Sequence, residues 1–104
     1  MHLISRKMIR EAAEEYPRAA DELIEMAKII EKGYFATPED LRKVFRSLDN
    51  HKHLDRHYII DIGGTEWRAI LKIDFVKQIV FYKGFFTHRD YMRFNDKAKK
   101  GKIK

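Results

Sequence analysis

Apolar residues recur with two different periods along this chain of 104 residues. From residue 6 to residue 32 they are spaced three and four positions apart, which predicts two amphipathic helices, the first over residues 6–16. Pro17 cannot lie inside the first helix but suits the first turn of the second, which Gly33 is suited to end. From residue 57 onward apolar and polar positions alternate, which is typical of half-buried strands.

Shorter signals account for the rest of the chain. His2-Leu3-Ile4 is predicted to form a short strand, and Thr37-Pro38 predicts the start of a short helix. The polar stretch over residues 49–56 is predicted to be a loop. Gly63-Gly64 lies between two strand-like runs and predicts a hairpin, and residues 78–86 predict a further strand.

Helices followed by a meander of strands form an α+β pattern. We expect the N-terminal helical hairpin to pack on one face of a curved, mainly antiparallel sheet. The other face would be open to solvent or to a ligand. A short C-terminal helix would follow the last strand.

Alternation and turn length together predict how the strands are paired. The alternate residues of the run 67–73 that begin with Trp67 should face the core, so Arg68 should lie on the open face. A two-residue turn at Gly63-Gly64 places Ile59 opposite Arg68. A tight turn before the last strand places Gly84 opposite the same arginine, where it would leave room for a ligand.

Composition limits the classes of protein to which the chain can belong. It has no cysteine, which excludes disulfides, thiolate nucleophiles and cysteine-based zinc sites and fits a reducing compartment. No apolar run predicts a signal peptide or a membrane span, so we expect a cytoplasmic protein with no membrane partner. Residues 1–50 carry nine Lys/Arg and ten Asp/Glu, a balance of −1, whereas residues 51–104 carry thirteen and six, a balance of +7. The basic half favours a partner such as nucleic acid, although a solubilising lysine surface has the same composition.

The junction between the last strand and the C-terminal helix carries the candidate chemistry. Thr87 is suited to cap that helix, and His88 and Tyr91 lie three positions apart on one of its faces. With Arg68 on the sheet, these residue types suit the cleavage of RNA. Arginine stabilises charge on a phosphate, histidine transfers a proton, and tyrosine donates a hydrogen bond or stacks on a base. The RNA 2′-hydroxyl is then the nucleophile, and we expect neither a metal nor another cofactor.

Each of these residues also has an ordinary structural interpretation. His88 can be a surface residue, Tyr91 a packed side chain, and Arg68 can pair with Asp61 or Glu66 on the sheet. The class of protein is open as well, because a non-catalytic RNA- or ribosome-binding module would keep the basic surface. A DNA-binding regulator conflicts with the acidic polar sides of the N-terminal helices.

The segment HKHLDRH, residues 51–57, contains three histidines. His51, His53 and His57 could hold a metal, but their spacing matches no familiar zinc motif. Lys52 and Arg56 lie between them, which favours a segment that contacts nucleic acid.

The segments DIGGTEWR, residues 61–68, and THRDY, residues 87–91, resemble the HigB family of RelE-like toxins from bacterial toxin–antitoxin systems. The family pattern reads approximately Asn-Ile-Gly-Gly-Asn-x-Tyr-Arg, followed by Thr-His-x-x-Tyr. GYF at residues 33–35 and SLDN at residues 47–50 extend the resemblance over nearly the whole chain. The chain departs from the pattern at three positions: Asp61, Thr65 and Trp67.

The resemblance implies a RelE-like fold and a ribosome-dependent mRNA endonuclease, the toxin of a type II toxin–antitoxin system, that inhibits translation. It implies a HigA-like antitoxin with a helix-turn-helix, and binding of operator DNA only through that antitoxin. Arg68, His88 and Tyr91 correspond to the arginine, histidine and tyrosine of the family pattern, and are the predicted catalytic residues. Asp61, where asparagine is usual, adds a negative charge that is expected to weaken contact with RNA.

We expect residues 1–95 to form a single toxin domain and residues 96–104 to form a basic, flexible tail. Basic residues around the site are the predicted RNA contacts: Lys52, Arg56, His57, Lys72, Arg89, Arg93, Lys99 and Lys100.

Overall fold

The helices and strands follow one another in the predicted order in the computed structural model, which describes residues 1–101. The strand β1 is followed by the helices α1 and α2, and a turn of 3₁₀ helix over Pro17–Ala19 connects these two helices. A short helix α3 precedes four strands, β2 to β5, and the helix α4. The bounds are β1 His2–Ile4, α1 Arg6–Glu15, α2 Ala20–Lys32, α3 Pro38–Arg42, β2 Asp49–Asn50, β3 His57–Ile62, β4 Trp67–Asp74, β5 Ile79–Thr87 and α4 His88–Lys99.

The strands form one five-stranded sheet in the order β1-β5-β4-β3-β2. β1 runs parallel to β5, and the other three pairs are antiparallel. The predicted α+β class with a mainly antiparallel sheet is therefore confirmed. β2 was not predicted, because its two residues lie in the polar stretch that was expected to be a loop and pair with Tyr58 and Ile59.

The helical hairpin covers one face of the sheet, as predicted. Ser5 caps α1, since its Oγ accepts a hydrogen bond from the Met8 amide at 3.5 Å. The apolar stripe of α2 is fully buried at Leu23, Met26 and Ile30. These side chains share one core cluster with the alternate residues of β4 that begin at Trp67. Burial of a side chain of this size contributes about 1.5–3 kcal/mol, so the hairpin and the sheet hold each other in place.

The pairing of β3 with β4 differs from the predicted pairing by two residues. The turn comprises residues 63–66, and the Glu66 amide donates to the Gly63 carbonyl at 3.2 Å. Asp61 therefore lies opposite Arg68, and Ile59 lies opposite Ile70. The predicted partner of Arg68 was wrong because the turn is four residues long, although a shift of two residues leaves each side chain on its predicted face.

The predicted position of Gly84 is corrected in the same way. Gly84 lies opposite Ile70, and Phe86 lies opposite Arg68. The turn before β5 again has four residues, 75–78, and a bulge between Ile70 and Leu71 shifts the pairing by one more position. A glycine therefore does not provide the space above the guanidinium.

α4 folds back over the face of the sheet that was predicted to be open. Phe94 of α4 packs on Phe86 of β5, with ring centroids 5.1 Å apart. Ile59 and Ile70 lie on this face and are buried, with 8% and 0% of their surface exposed. The prediction of an open face was wrong over this part, whereas the face stays accessible near Arg68 and the start of α4 and, beyond Ile70, at Lys72.

The predicted start of the basic tail, residue 96, falls within α4. The helix continues to Lys99 with Ala98 buried, and Lys100 pairs with Asp96 at 3.0 Å. Residues 102–104 of the predicted tail lie outside the described residues. The division into a domain and a flexible tail stays a prediction.

Candidate active site

The structure brings together the guanidinium of Arg68, the imidazole of His88 and the phenol ring of Tyr91. Arg68 Nη1 lies 2.9 Å from His88 Nδ1. The central carbon of the same guanidinium lies 5.0 Å from the centroid of the Tyr91 ring. Contact over these distances lets the three side chains act on one bound group.

Two neighbouring elements hold these side chains. Arg68 extends from the second residue of β4, and His88 is the first residue of α4. The predicted cap of α4 is present, because Thr87 Oγ1 accepts a hydrogen bond from the Asp90 amide at 3.3 Å. β5 passes into α4 without a loop, so the position of the cap on the sheet fixes the positions of His88 and Tyr91.

The contact with Arg68 sets the proton positions on His88. Arginine can only donate hydrogen bonds, so His88 Nδ1 accepts one. In the neutral ring the proton is then on Nε2. His88 is exposed, and Nε2 is the ring atom that can exchange a proton with a ligand.

The Tyr91 phenol is held in its neutral form. Burial raises the pKa of Tyr91, Arg68 partly opposes this effect, and the carboxylates of Asp49 and Asp61 add to it. A phenol with a pKa above 10 keeps its proton at neutral pH, so the Tyr91 hydroxyl can donate a hydrogen bond to a phosphate oxygen.

Arg68 also forms an ion pair within the sheet. Its Nε lies 3.4 Å from Asp61 Oδ1, and both side chains are largely buried, with 19% and 28% of their surface exposed. Of the two partners considered from the sequence, Asp61 is therefore the one used. Glu66 instead pairs with Arg18 from the turn before α2.

The predicted RNA contacts occupy different environments. Lys52 and Arg56 are exposed between β2 and β3, and Lys72 is exposed on the same face of β4 as Arg68. Arg89 and Arg93 are exposed along α4. Lys99 and Lys100 are exposed at its C-terminal end, where Lys100 pairs with an aspartate.

His57 is an exception among the predicted RNA contacts. Only 4% of its surface is exposed, and its Nδ1 lies 2.7 Å from the Asp55 carbonyl. A ring buried in this way has little surface for contact with a ligand, which argues against the predicted RNA contact of His57. His57 lies on the same face of β3 as Ile59, two residues away, but alternation does not report how deeply a side chain is buried.

The ring of His51 packs against the site residue Tyr91. This packing was not predicted from the sequence. The His51 ring is 6% exposed and makes edge-on contacts with Tyr91 and Phe94, at centroid distances of 6.4 and 5.8 Å. The His51 Nδ1 accepts a hydrogen bond from the His53 amide at 3.1 Å. The three histidines do not form a metal site, since no group of three or more potential ligands is arranged around one point within residues 1–101.

In the part of the chain that the structure describes, no helix is both long and apolar enough to cross a membrane. The fold, together with the exposed corner formed by Arg68, His88 and Tyr91, defines the class of RelE-like proteins. The sequence model of the HigB toxin family, described as the RelE-like toxic component of a toxin–antitoxin system, matches residues 19–94.

Several curated proteins are similar along most of their length. The chain is 44% identical over 91 residues to the mRNA interferase toxin HigB of Escherichia coli K12 and to the mRNA interferase HigB of Shigella flexneri. It is 37% identical over 91 residues to the mRNA interferase HigB of Escherichia coli O6:H1. Each match covers 88% of both chains. The chain belongs to the HigB toxin family, and membership in a toxin–antitoxin family implies an antitoxin partner.

Proposed function

We propose that this chain is a ribosome-dependent mRNA endonuclease, the toxin of a type II toxin–antitoxin system, that inhibits translation by cutting messages in the cytoplasm. The names of its relatives support an mRNA interferase activity. The observation that carries the proposal is the contact of one guanidinium with an imidazole, at 2.9 Å, and with a phenol ring, at 5.0 Å, on an exposed corner of the sheet.

The proposed reaction is a metal-independent attack of the RNA 2′-hydroxyl on the adjacent phosphorus. A bond forms between the 2′-oxygen and phosphorus, and the bond from phosphorus to the 5′-oxygen breaks. The 2′-hydroxyl loses a proton and the departing 5′-oxygen gains one. The products are a 2′,3′-cyclic phosphate and a 5′-hydroxyl.

Arg68 and Tyr91 stabilise the charge that builds up on the phosphate. Arg68 uses Nε for Asp61 and Nη1 for His88 in the described part of the chain, which leaves Nη2 for a phosphate oxygen. The neutral Tyr91 hydroxyl donates a second hydrogen bond. Because the guanidinium is already held in place, little reorganisation accompanies the reaction.

His88 is the group that transfers a proton. Its Nδ1 is occupied by Arg68, so proton exchange with RNA takes place at Nε2. In the neutral ring Nε2 carries the proton that is passed to the departing 5′-oxygen. Its loss from the neutral ring would leave an imidazolate, so Nδ1 takes up a proton in exchange for its contact with Arg68 before the transfer, and the ring ends neutral. The 2′-hydroxyl proton passes to water.

The experiment is controlled expression of Arg68→Ala and His88→Ala. Growth is followed in culture, and message ends are mapped by primer extension. We expect both variants to lose growth arrest and to produce no new 5′ ends. Circular dichroism verifies the fold, and Arg10→Ala, on the exposed side of α1, is the matched control that should behave like the parent. Normal cutting by both variants would remove these residues from the mechanism. Ribosome binding without cutting by the parent chain would favour the non-catalytic module.

We also propose that exposed basic residues guide RNA to this corner. Lys72 lies on the face of Arg68, and Arg89 and Arg93 follow the helix that starts at His88. Lys52, Arg56, Lys99 and Lys100 extend the positive surface. Removal of two of these charges should weaken binding to ribosomes and reduce its salt dependence without changing the cut position.

The proposed antitoxin is HigA-like, with a helix-turn-helix that carries all binding to operator DNA. A groove of about 480 Å³ lies between α2, the segment after α3 and the end of β3. Glu22 and Glu25 line it beside the apolar side chains of Ile29 and Val44. An amphipathic basic segment of the antitoxin fits such a surface, so Glu22→Lys with Glu25→Lys should abolish co-purification of the antitoxin but leave cleavage intact.

A further inference from the structure

We propose that Asp61 is a positioning residue for the cleavage reaction, because its carboxylate fixes the orientation of the Arg68 guanidinium. This inference rests on the proposed function, in which Arg68 contacts the phosphate. From the sequence, an acidic group near the hairpin was expected only to weaken contact with RNA. The structure gives it a second effect of opposite sign.

The position of Asp61 follows from the pairing of β3 with β4. Asp61 lies directly opposite Arg68, and its Oδ1 lies 3.4 Å from Arg68 Nε. The backbone of Asp61 is itself held, since its amide donates to Ser47 Oγ at 2.9 Å. A carboxylate attached to a strand anchored in this way has little freedom to follow a moving guanidinium.

Three contacts together define the plane of the guanidinium. Asp61 holds the Nε edge, His88 holds Nη1, and the Tyr91 ring lies against one side. The contact at Nε controls rotation about the last bonds of the side chain, because Nε joins the planar group to its flexible stem. Without it, the group can turn about its contact with His88 and withdraw Nη2 from the phosphate.

The charge of Asp61 acts in the other direction. A carboxylate next to Arg68 offsets part of the positive charge that attracts the phosphate. Removal of the charge alone should therefore strengthen RNA binding or raise the rate, whereas removal of the contact should lower the rate of cleavage. The two effects can be separated because asparagine keeps an oxygen in the place of Asp61 Oδ1, next to Nε, but carries no charge.

The experiment compares Asp61→Asn and Asp61→Ala in single-turnover cleavage of a message on programmed ribosomes, with affinity for the ribosome measured separately. We expect Asp61→Asn to cleave within about 3-fold of the parent, and Asp61→Ala to lose about 10-fold or more in the rate at saturation, with affinity unchanged or tighter. Glu66→Ala is the matched control, since it removes an acidic residue from the same hairpin that does not contact Arg68.

A double-mutant cycle makes the test specific to the pair. In the Arg68→Lys background, which has no guanidinium to orient, Asp61→Ala should not lower the rate further. If Asp61→Ala does not fold, as judged by thermal unfolding, Asp61→Val takes its place as a strand former that cannot accept a hydrogen bond.

Three results would overturn the inference. In the first, Asp61→Ala and Asp61→Asn both cleave at the parent rate or faster, so Asp61 affects cleavage only through its charge. In the second, Asp61→Asn loses as much of the cleavage rate as Asp61→Ala. In the third, Asp61→Ala loses affinity for the ribosome and keeps its cleavage rate. If instead Arg68→Ala cleaves normally, it is the proposed function that fails, so the two failures are distinguishable.

Discussion

Acid should destabilise this protein through two buried histidines. His51 and His57 expose only 6% and 4% of their surface. Burial lowers the pKa of His51 below its ordinary value of 6.5, and the rings of His53 and His57 lower it further. The Asn95 side chain opposes this effect only in part. Within residues 1–101 the Nε2 atom of His51 has no hydrogen-bond partner.

The same argument applies to His57. Burial is the main cause of its lowered pKa, its hydrogen bond with the Asp55 backbone opposes this effect, and the charges of Lys72 and Lys83 add to it. Its Nδ1 donates to the Asp55 carbonyl, so Nε2 is an acceptor, and it too lacks a partner within the described residues.

The sign of the effect follows from these lowered pKa values. The unfolded chain binds protons at an ordinary pKa near 6.5, before the folded chain does. The contribution of each histidine to stability is therefore full above that value. It is lost as the pH falls from 6.5 toward the lower pKa of the folded state. Each histidine contributes a slope of at most about 1.4 kcal/mol per pH unit, and the pair at most about 2.7 kcal/mol per pH unit.

The assay is urea denaturation at several pH values between 5.5 and 7.5. In the parent chain the free energy of unfolding should fall as the pH decreases below about 6.5. His51→Gln combined with His57→Gln should flatten this slope, whatever their effect on absolute stability. His53→Gln is the matched control, because His53 is exposed in the same segment. An undiminished slope in the double variant would refute the reasoning.

Three further predictions concern the site and the hairpin. Arg68→Lys keeps the charge but cannot make all the contacts of a planar guanidinium, so single-turnover cleavage should fall about 10²-fold with ribosome affinity unchanged; cleavage at the parent rate would contradict this. Thr87→Ala removes the cap of α4 and should cost about 1 kcal/mol in urea denaturation, together with part of the cleavage rate. Gly63→Ala should cost about 1–3 kcal/mol, because φ is +64° and the new Cβ would lie 2.8 Å from the Trp67 ring. Gly64→Ala shares a positive φ but meets no atom within 4 Å, so it should cost less in the same measurement.

The elements of this fold were predictable because their signals are local. The helical period of residues 6–32 and the alternation after residue 57 identified the helices and the long strands within a few residues. β2 was missed because two residues carry no period, and they pair only through the strand that follows.

The pairing of the strands was not predictable to the same degree. The glycine pair suggested a two-residue turn, whereas Gly63 and Gly64 begin a four-residue turn with positive φ at both positions. The bulge after Ile70 left no signal in the residues of β4 themselves. The length of this turn and the position of the bulge both depend on how the strands of the whole sheet pair, which is a tertiary property.

The candidate site was predictable from the motif and the cap, but its surroundings were not. Arg68, His88 and Tyr91 were proposed together before their contacts were known, and the structure brings them within contact distance. The burial of His57 is a tertiary property that alternation along β3 does not report. The basic composition of residues 96–100 suggested a flexible tail, whereas α4 continues to Lys99. Composition could not distinguish the two, since lysines also suit the exposed side of a helix.

The parallel pairing of β1 with β5 joins His2 to Ile79, so one edge of the sheet consists of segments from opposite ends of the chain. During synthesis the first strand emerges early and must wait for the other to leave the ribosome. Closure of this edge thus belongs to the last stage of folding, as does the arrival of His88 beside Arg68. On the proposed function, a chain that is interrupted before α4 lacks His88 and Tyr91 and is unable to cut the messages being translated around it.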